Sequence, residues 1–196
     1  MPRTRLLLSS SLLLALVLGC GSAARAAAPA TAPSASDAAA TPHRWDRTEQ
    51  GFTLQTSGDW VSRTTTQPHV VLTLRRDVAT GAQTRPRLLI ITVVPLRDPA
   101  NPTPLDAQVE GVRSVVEKTH PEAKFEPAVD MSLDRVEAKM LAFKYTLNKQ
   151  PSQAYRVVAE NAGNLYLVAY SCEEASAADG RQELDSILLT FRWTKK

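Results

Sequence analysis

The chain has 196 residues, a formal net charge of +3 and 22% charged side chains, with only two cysteines. That charge excludes the strongly basic face that a nucleic-acid partner requires, and two cysteines exclude a disulfide-rich scaffold. Arg3 and Arg5 precede an apolar run, Leu6 to Leu18. A bilayer-spanning helix needs roughly 20 apolar residues, so this run has the layout of an export signal and is too short for a transmembrane anchor. Loss of those two arginines brings the formal charge of +3 down to +1. The run closes on Val17-Leu18-Gly19-Cys20, a small residue placed before a cysteine. Ala24-Arg25-Ala26 and Ala26-Ala27-Ala28 offer a second, ordinary cleavage site, which would discard Cys20 and release a soluble product.

Gly21 to Pro42 is dominated by Ala, Ser, Thr and Pro. Such a segment buries too little apolar surface to offset the entropy of ordering it. As a flexible coil it spans roughly 25 Å, from 5–6 Å times the square root of its length. From Trp45 onward lie about 150 residues, the usual size of one domain.

Within the domain, Phe52 and Leu54 alternate with Thr53 and Gln55, the period of a half-buried strand. Ser57-Gly58-Asp59 breaks it before Trp60. Val70, Leu72 and Leu74 set a second strand. The nearly continuous apolar run Leu88 to Val94 predicts a strand covered on both faces. Thr103-Pro104 predicts an N-cap followed by a first-turn proline. Leu105, Val109, Val112 and Val116 then follow at helical spacing, with the end near Thr119 because Pro121 disfavours helix at His120. Phe125 to Met131 and Val136 to Leu147 read as strands. In the latter, Leu141, Phe143, Tyr145 and Leu147 share one face. Ala154 to Glu160 and Leu165 to Cys172 form a pair joined by an Asn161-Ala162-Gly163-Asn164 hairpin. Leu184, Ile187, Leu188 and Phe191 mark a last helix, capped by Asp179 with Gln182, and Phe191-Arg192-Trp193 ends the domain on aromatics.

The side chains able to do chemistry are few. His43, His69 and His120 have no metal-like spacing to one another or to Cys172, so no metal site and no cofactor are expected. Cys172 reads as a small buried residue at a strand end, with a cysteine nucleophile paired to a distant histidine as the rival reading. No G-x-S-x-G motif and no glycine-rich phosphate loop occurs. No catalytic residue is therefore assigned. Arg75, Arg76, Arg85, Arg87 and Arg97 flank one turn. If the adjoining strands pair, the arginines gather at one end of the sheet, as a patch for an anionic partner or lipid headgroups, or simply as edge protection.

Val17-Leu18-Gly19-Cys20 resembles the lipobox of bacterial lipoproteins, with Val17 where leucine is usual. The resemblance implies lipidation of Cys20 and cleavage just before it. Residues 1–19 are then a signal peptide, 20–42 an acylated tether and 43–196 the globular domain. Gly21, in place of the aspartate common after the cysteine of inner-membrane lipoproteins, points to the outer membrane where a cell has two.

Gly51-Phe52-Thr53-Leu54 with Gly58-Asp59-Trp60, the helix from Leu105, Tyr166 to Tyr170, Leu184 to Leu189 and Thr190-Phe191-Arg192 together resemble the PsbP-like fold, which includes DcrB-like lipoproteins. The usual proline before the tryptophan turn is replaced by Ser57-Gly58. This resemblance implies an α+β domain: a twisted antiparallel sheet of six or seven strands with helices on both faces. Members are mostly binding or assembly factors. The expectation is a non-enzymatic, lipid-anchored envelope protein that binds another, unknown envelope protein and no nucleic acid. The alternatives are a small-ligand-binding module and, less favoured, an exported enzyme.

Overall fold

The computed structural model describes residues 41–80 and 83–194. Cys20, the signal segment 1–19 and the tether up to residue 40 lie outside the described residues. The chain enters through β1 (His43–Arg47), makes a 3-10 turn over Thr48–Gln50, and returns antiparallel as β2 (Phe52–Thr56). Gly51, at φ 92°, takes the left-handed conformation that this reversal requires.

Four strands follow: β3 (Val61–Ser62), β4 (Val70–Thr80), β5 (Gln83–Pro95) and, after the helix α1 (Leu105–Thr119), β6 (Lys124–Phe125). Then come β7 (Val129–Leu133), β8 (Val136–Leu147), β9 (Gln150–Asn161), β10 (Asn164–Glu173), α2 (Ala177–Thr190) and β11 (Arg192–Trp193). The main sheet has eight strands in the order β3-β4-β5-β10-β9-β8-β6, with β7 also paired to β8. Every pairing is antiparallel. β1, β2 and β11 form a separate three-stranded sheet. The fold is the α+β type expected, with one strand more than the upper expectation because short pieces pair at both edges.

Three tight turns organise the centre. Asp134-Arg135, Asn148-Lys149 and Ala162-Gly163 all have positive φ at both positions, the type I′ geometry that matches strand twist. They join β7 to β8, β8 to β9, and β9 to β10. Only the third was expected, because the first two contain no glycine.

The two helices pack on opposite faces. Toward α2, the sheet presents Leu72, Leu74, Leu89, Ile91, Tyr166, Val168 and Tyr170, buried together with Leu184, Ile187 and Phe191. Toward α1, Leu141, Phe143, Ala154 and Val158 meet Val109 and Val116. Fully burying one such Leu or Phe side chain contributes roughly 1.5–3 kcal/mol. The aromatic ending of the chain closes the small sheet against the large one. Phe191 stacks on Phe52 at 5.2 Å between ring centres, and Trp193 meets Tyr166 at 4.6 Å. The Trp193 indole N–H donates to the Leu133 carbonyl at 2.7 Å.

Four expectations change. Leu88 to Val94 is covered on one face only: Leu89 and Ile91 are buried, while Leu88 and Ile90 remain half-buried, because α1 lies over β8 and β9 and does not reach β5. Phe125 to Met131 is two strands rather than one, since Pro127 has no N–H for the ladder and interrupts it between β6 and β7. Pro104, not Thr103, stands at the N-cap of α1, and its carbonyl accepts from Ala107 and Gln108. α2 begins at Ala177 after a 3-10 turn over Glu174–Ser176, which puts Asp179 in its first turn rather than at its cap.

Candidate functional site

The arginines gather as the pairing of β4 with β5 requires. Arg76 lies opposite Arg87, and Val78 opposite Arg85. Two like charges directly opposite on a sheet repel, and a carboxylate from α2 resolves the conflict. Glu183 accepts from Arg87 Nη1 at 2.7 Å, from the Tyr170 hydroxyl at 2.7 Å, and from Arg76. Arg76 also pairs with Asp59. Arg85 pairs with Glu173 at 3.5 Å, and Arg75, on the opposite face, pairs with Asp77 at 2.7 Å. Each of the four arginines of the expected anionic-partner patch thus faces a carboxylate of its own chain. Arg97 lies apart, exposed beyond the end of β5.

The electrostatics follow from these contacts. Burial works to lower the pKa of Arg76 and Arg87, but the hydrogen bonds to Glu183 outweigh it and both are raised. Burial, reinforced by the charge of Glu183, raises the Tyr170 hydroxyl, so it remains a donor. Burial likewise pushes the Cys172 thiol up to about 11. Cys172 is 4% exposed and packs against Gly180, whose missing side chain leaves it room: a Cβ there would stand 2.5 Å from the sulfur. A thiol held neutral in this way is a poor nucleophile at neutral pH.

The structure does not bring the three histidines together. His43 is on β1, where its ring lies 4.1 Å from that of Trp45. His120 caps α1 and contacts the Tyr145 ring at 4.8 Å. His69 takes positive φ at the entry to β4, where its carbonyl accepts from Val93 N–H. It lines an open groove of about 310 Å³ with Glu49, Val71, Val93 and Asn164. Among the described residues, no three His, Cys, Asp or Glu side chains are grouped to hold a metal ion. Among the described residues, no helix is long and apolar enough to cross a membrane.

The larger groove, about 520 Å³, runs between α2 and β7. Met131 and Ser132 form one wall, Leu188 and Leu189 the other, and Arg135 and Arg192 flank it. Leu189 is 75% exposed and Val129, on the same face of β7 as Met131, is 54% exposed. No motif in the sequence marks this groove. Its signal was present: Leu189 is an apolar residue outside the buried stripe of Leu184, Ile187 and Leu188.

No protein-family model matches this chain, and no curated protein matches its sequence. Solved structures do match its fold. It is similar to cyanobacterial PsbP (CyanoP) from Synechocystis, with 14% identity and a TM-score of 0.58 over 83% of this chain and 98% of that one. It is similar to LpqN, described as involved in cell envelope biogenesis of Mycobacterium tuberculosis, with 12% identity and a TM-score of 0.50 over 77% of this chain and 90% of that one. The domain has a PsbP-like fold.

Proposed function

We propose that the protein is exported, acylated on Cys20 and held at the cell envelope, where its PsbP-like domain binds another protein as an accessory or assembly factor. The observation that carries the binding reading is the groove between α2 and β7, where exposed Leu189 stands with Leu188 and Met131 inside a charged rim, and exposed Val129 lies on the Met131 face of β7. An exposed apolar patch beside a tidy, internally paired surface marks an interaction site. A tether behind Cys20 gives this surface reach, and the anchor raises its local concentration at the membrane. The fold shared with LpqN, a protein involved in envelope biogenesis, supports an envelope role. Gly21 after the cysteine favours the outer membrane where there are two.

A small-ligand-binding module would need room for its ligand, as between a helix and the sheet. The space between α2 and the sheet is filled by Leu184, Ile187, Phe191, Leu89 and Tyr170, so the protein-binding reading is preferred. The test is affinity capture from detergent-solubilised envelope, with a domain-deleted protein as control. Capture of a defined partner by the wild type alone is expected. Recovery of nothing beyond the control sinks the proposal.

A further inference from the structure

Resting on that reading, we propose that the groove takes an extended, acidic segment of the partner, which adds to the main sheet as a new strand along β7. Three independent features converge there. The first is backbone. Among the described residues β7 pairs only with β8, which leaves its other side as an edge, the template for strand addition. The type I′ turn at Asp134-Arg135 fixes which groups are open. Leu133 and Val136 flank the turn, and such a flanking pair exchanges both backbone hydrogen bonds. Alternation then turns the N–H and C=O groups of Asp130 and Ser132 away from β8, toward an incoming strand.

The second feature is the wall opposite. α2 stands beside this edge and presents Leu188 and Leu189. A strand laid on β7 would send every second side chain into the space between Met131 and these leucines. Leu189, one of the three large hydrophobic residues that stand exposed among the described residues, lines this space, and a second, Val129, lies on the Met131 face of β7. The third feature is charge. Asp134 is engaged by the Trp193 backbone N–H at 2.8 Å and Asp185 by Arg181 at 2.9 Å. Arg192 Nη1 donates to the Leu189 and Phe191 carbonyls. Arg135 is exposed and has no partner among the described residues, so it is the cation left to meet a carboxylate on the incoming segment. At the turn end Trp193 stands against the hairpin, its indole donating to the Leu133 carbonyl and its backbone N–H to Asp134.

The experiment selects random linear peptides displayed on phage against the detergent-solubilised full-length protein. The expected enriched sequences alternate apolar residues and carry at least one carboxylate. Ser132→Pro removes only an outward N–H, which an edge strand tolerates, and Leu189→Asp changes a side chain already in solvent. Each is expected to melt like the wild type and to weaken the selected peptides at least roughly tenfold, about 1.4 kcal/mol. Arg135→Glu should shift selection to basic peptides. Val61→Asp, on the opposite edge strand, should change nothing. Selected peptides that bind Ser132→Pro and Leu189→Asp as tightly as wild type overturn the proposal, and so does failure to enrich any sequence. Equal capture of one envelope protein by wild type and Ser132→Pro overturns the strand-addition site while leaving protein binding intact. Absence of any captured partner with peptide selection succeeding overturns the functional reading alone.

Discussion

Replacing Glu183 by alanine removes the carboxylate shared by Arg76, Arg87 and Tyr170. The Arg87 side chain is only 9% exposed, so its guanidinium is left as a largely buried charge without a counter-ion. Breaking a buried pair in this way costs about 3–5 kcal/mol, whereas an exposed pair costs about 0–1 kcal/mol. The Arg76 side chain is 28% exposed and keeps Asp59, so it adds little to the loss. For a domain of this size about 1 kcal/mol moves the melting temperature by about 2–4 °C, and Glu183→Ala should lower it on the order of 10 °C. Urea denaturation with an unchanged slope and a lower midpoint is the assay. Combining Glu183→Leu with Arg87→Met removes both charges at once and should cost clearly less than the two single changes summed. A loss under about 1 kcal/mol for Glu183→Ala would show that water, not α2, solvates these arginines, and would refute the reasoning.

Gly180→Ala forces a Cβ to within 2.5 Å of the Cys172 sulfur. The overpacking cost of about 1–3 kcal/mol should exceed the gain in helix propensity of about 1 kcal/mol. In a Cys172→Ala background the same change should become neutral or stabilising, as read by thermal melting. Burial raises the Cys172 thiol from 9.0 to about 11, so the unfolded state ionises first as pH rises. Stability carried by the neutral thiol is fully present below pH 9.0 and lost between there and about 11. The loss is about 3 kcal/mol at 1.36 kcal/mol per unit; Cys172→Ala should flatten that alkaline slope. Lys139 meets Asp106 at 2.9 Å and Asp130 at 2.5 Å, yet those carboxylates are 82% and 79% exposed. Lys139→Met should therefore leave the melting temperature nearly unchanged, and any difference should vanish in high salt.

The parts of the fold that were legible in sequence are those fixed by local chemistry. α1 runs from Leu105 to Thr119 as its spacing and Pro121 predicted, and β8 spans the whole alternating segment Val136–Leu147. The glycine in Ala162-Gly163 announced its turn; Asn148-Lys149 did not, because both non-glycine residues accept positive φ only within the completed hairpin. The clamp on the arginines could not be read locally. Glu183 lies 96 residues from Arg87 and 107 from Arg76, and nothing short-range marks it as their partner. The groove is a product of tertiary placement. Leu189 stands out only as an apolar residue off the buried stripe of α2, and it is the packing of α2 beside β7 that makes it a groove wall with Met131 and Leu188.

The central claim is that this domain works from a lipid anchor on Cys20, and the intact mass of the mature protein, purified from its native envelope, tests it most directly. The account predicts a polypeptide beginning at Cys20 that carries the added mass of a diacylglyceryl group, recovered in the membrane fraction. An unmodified polypeptide beginning after Ala26 or Ala28 and recovered in the soluble fraction would contradict it.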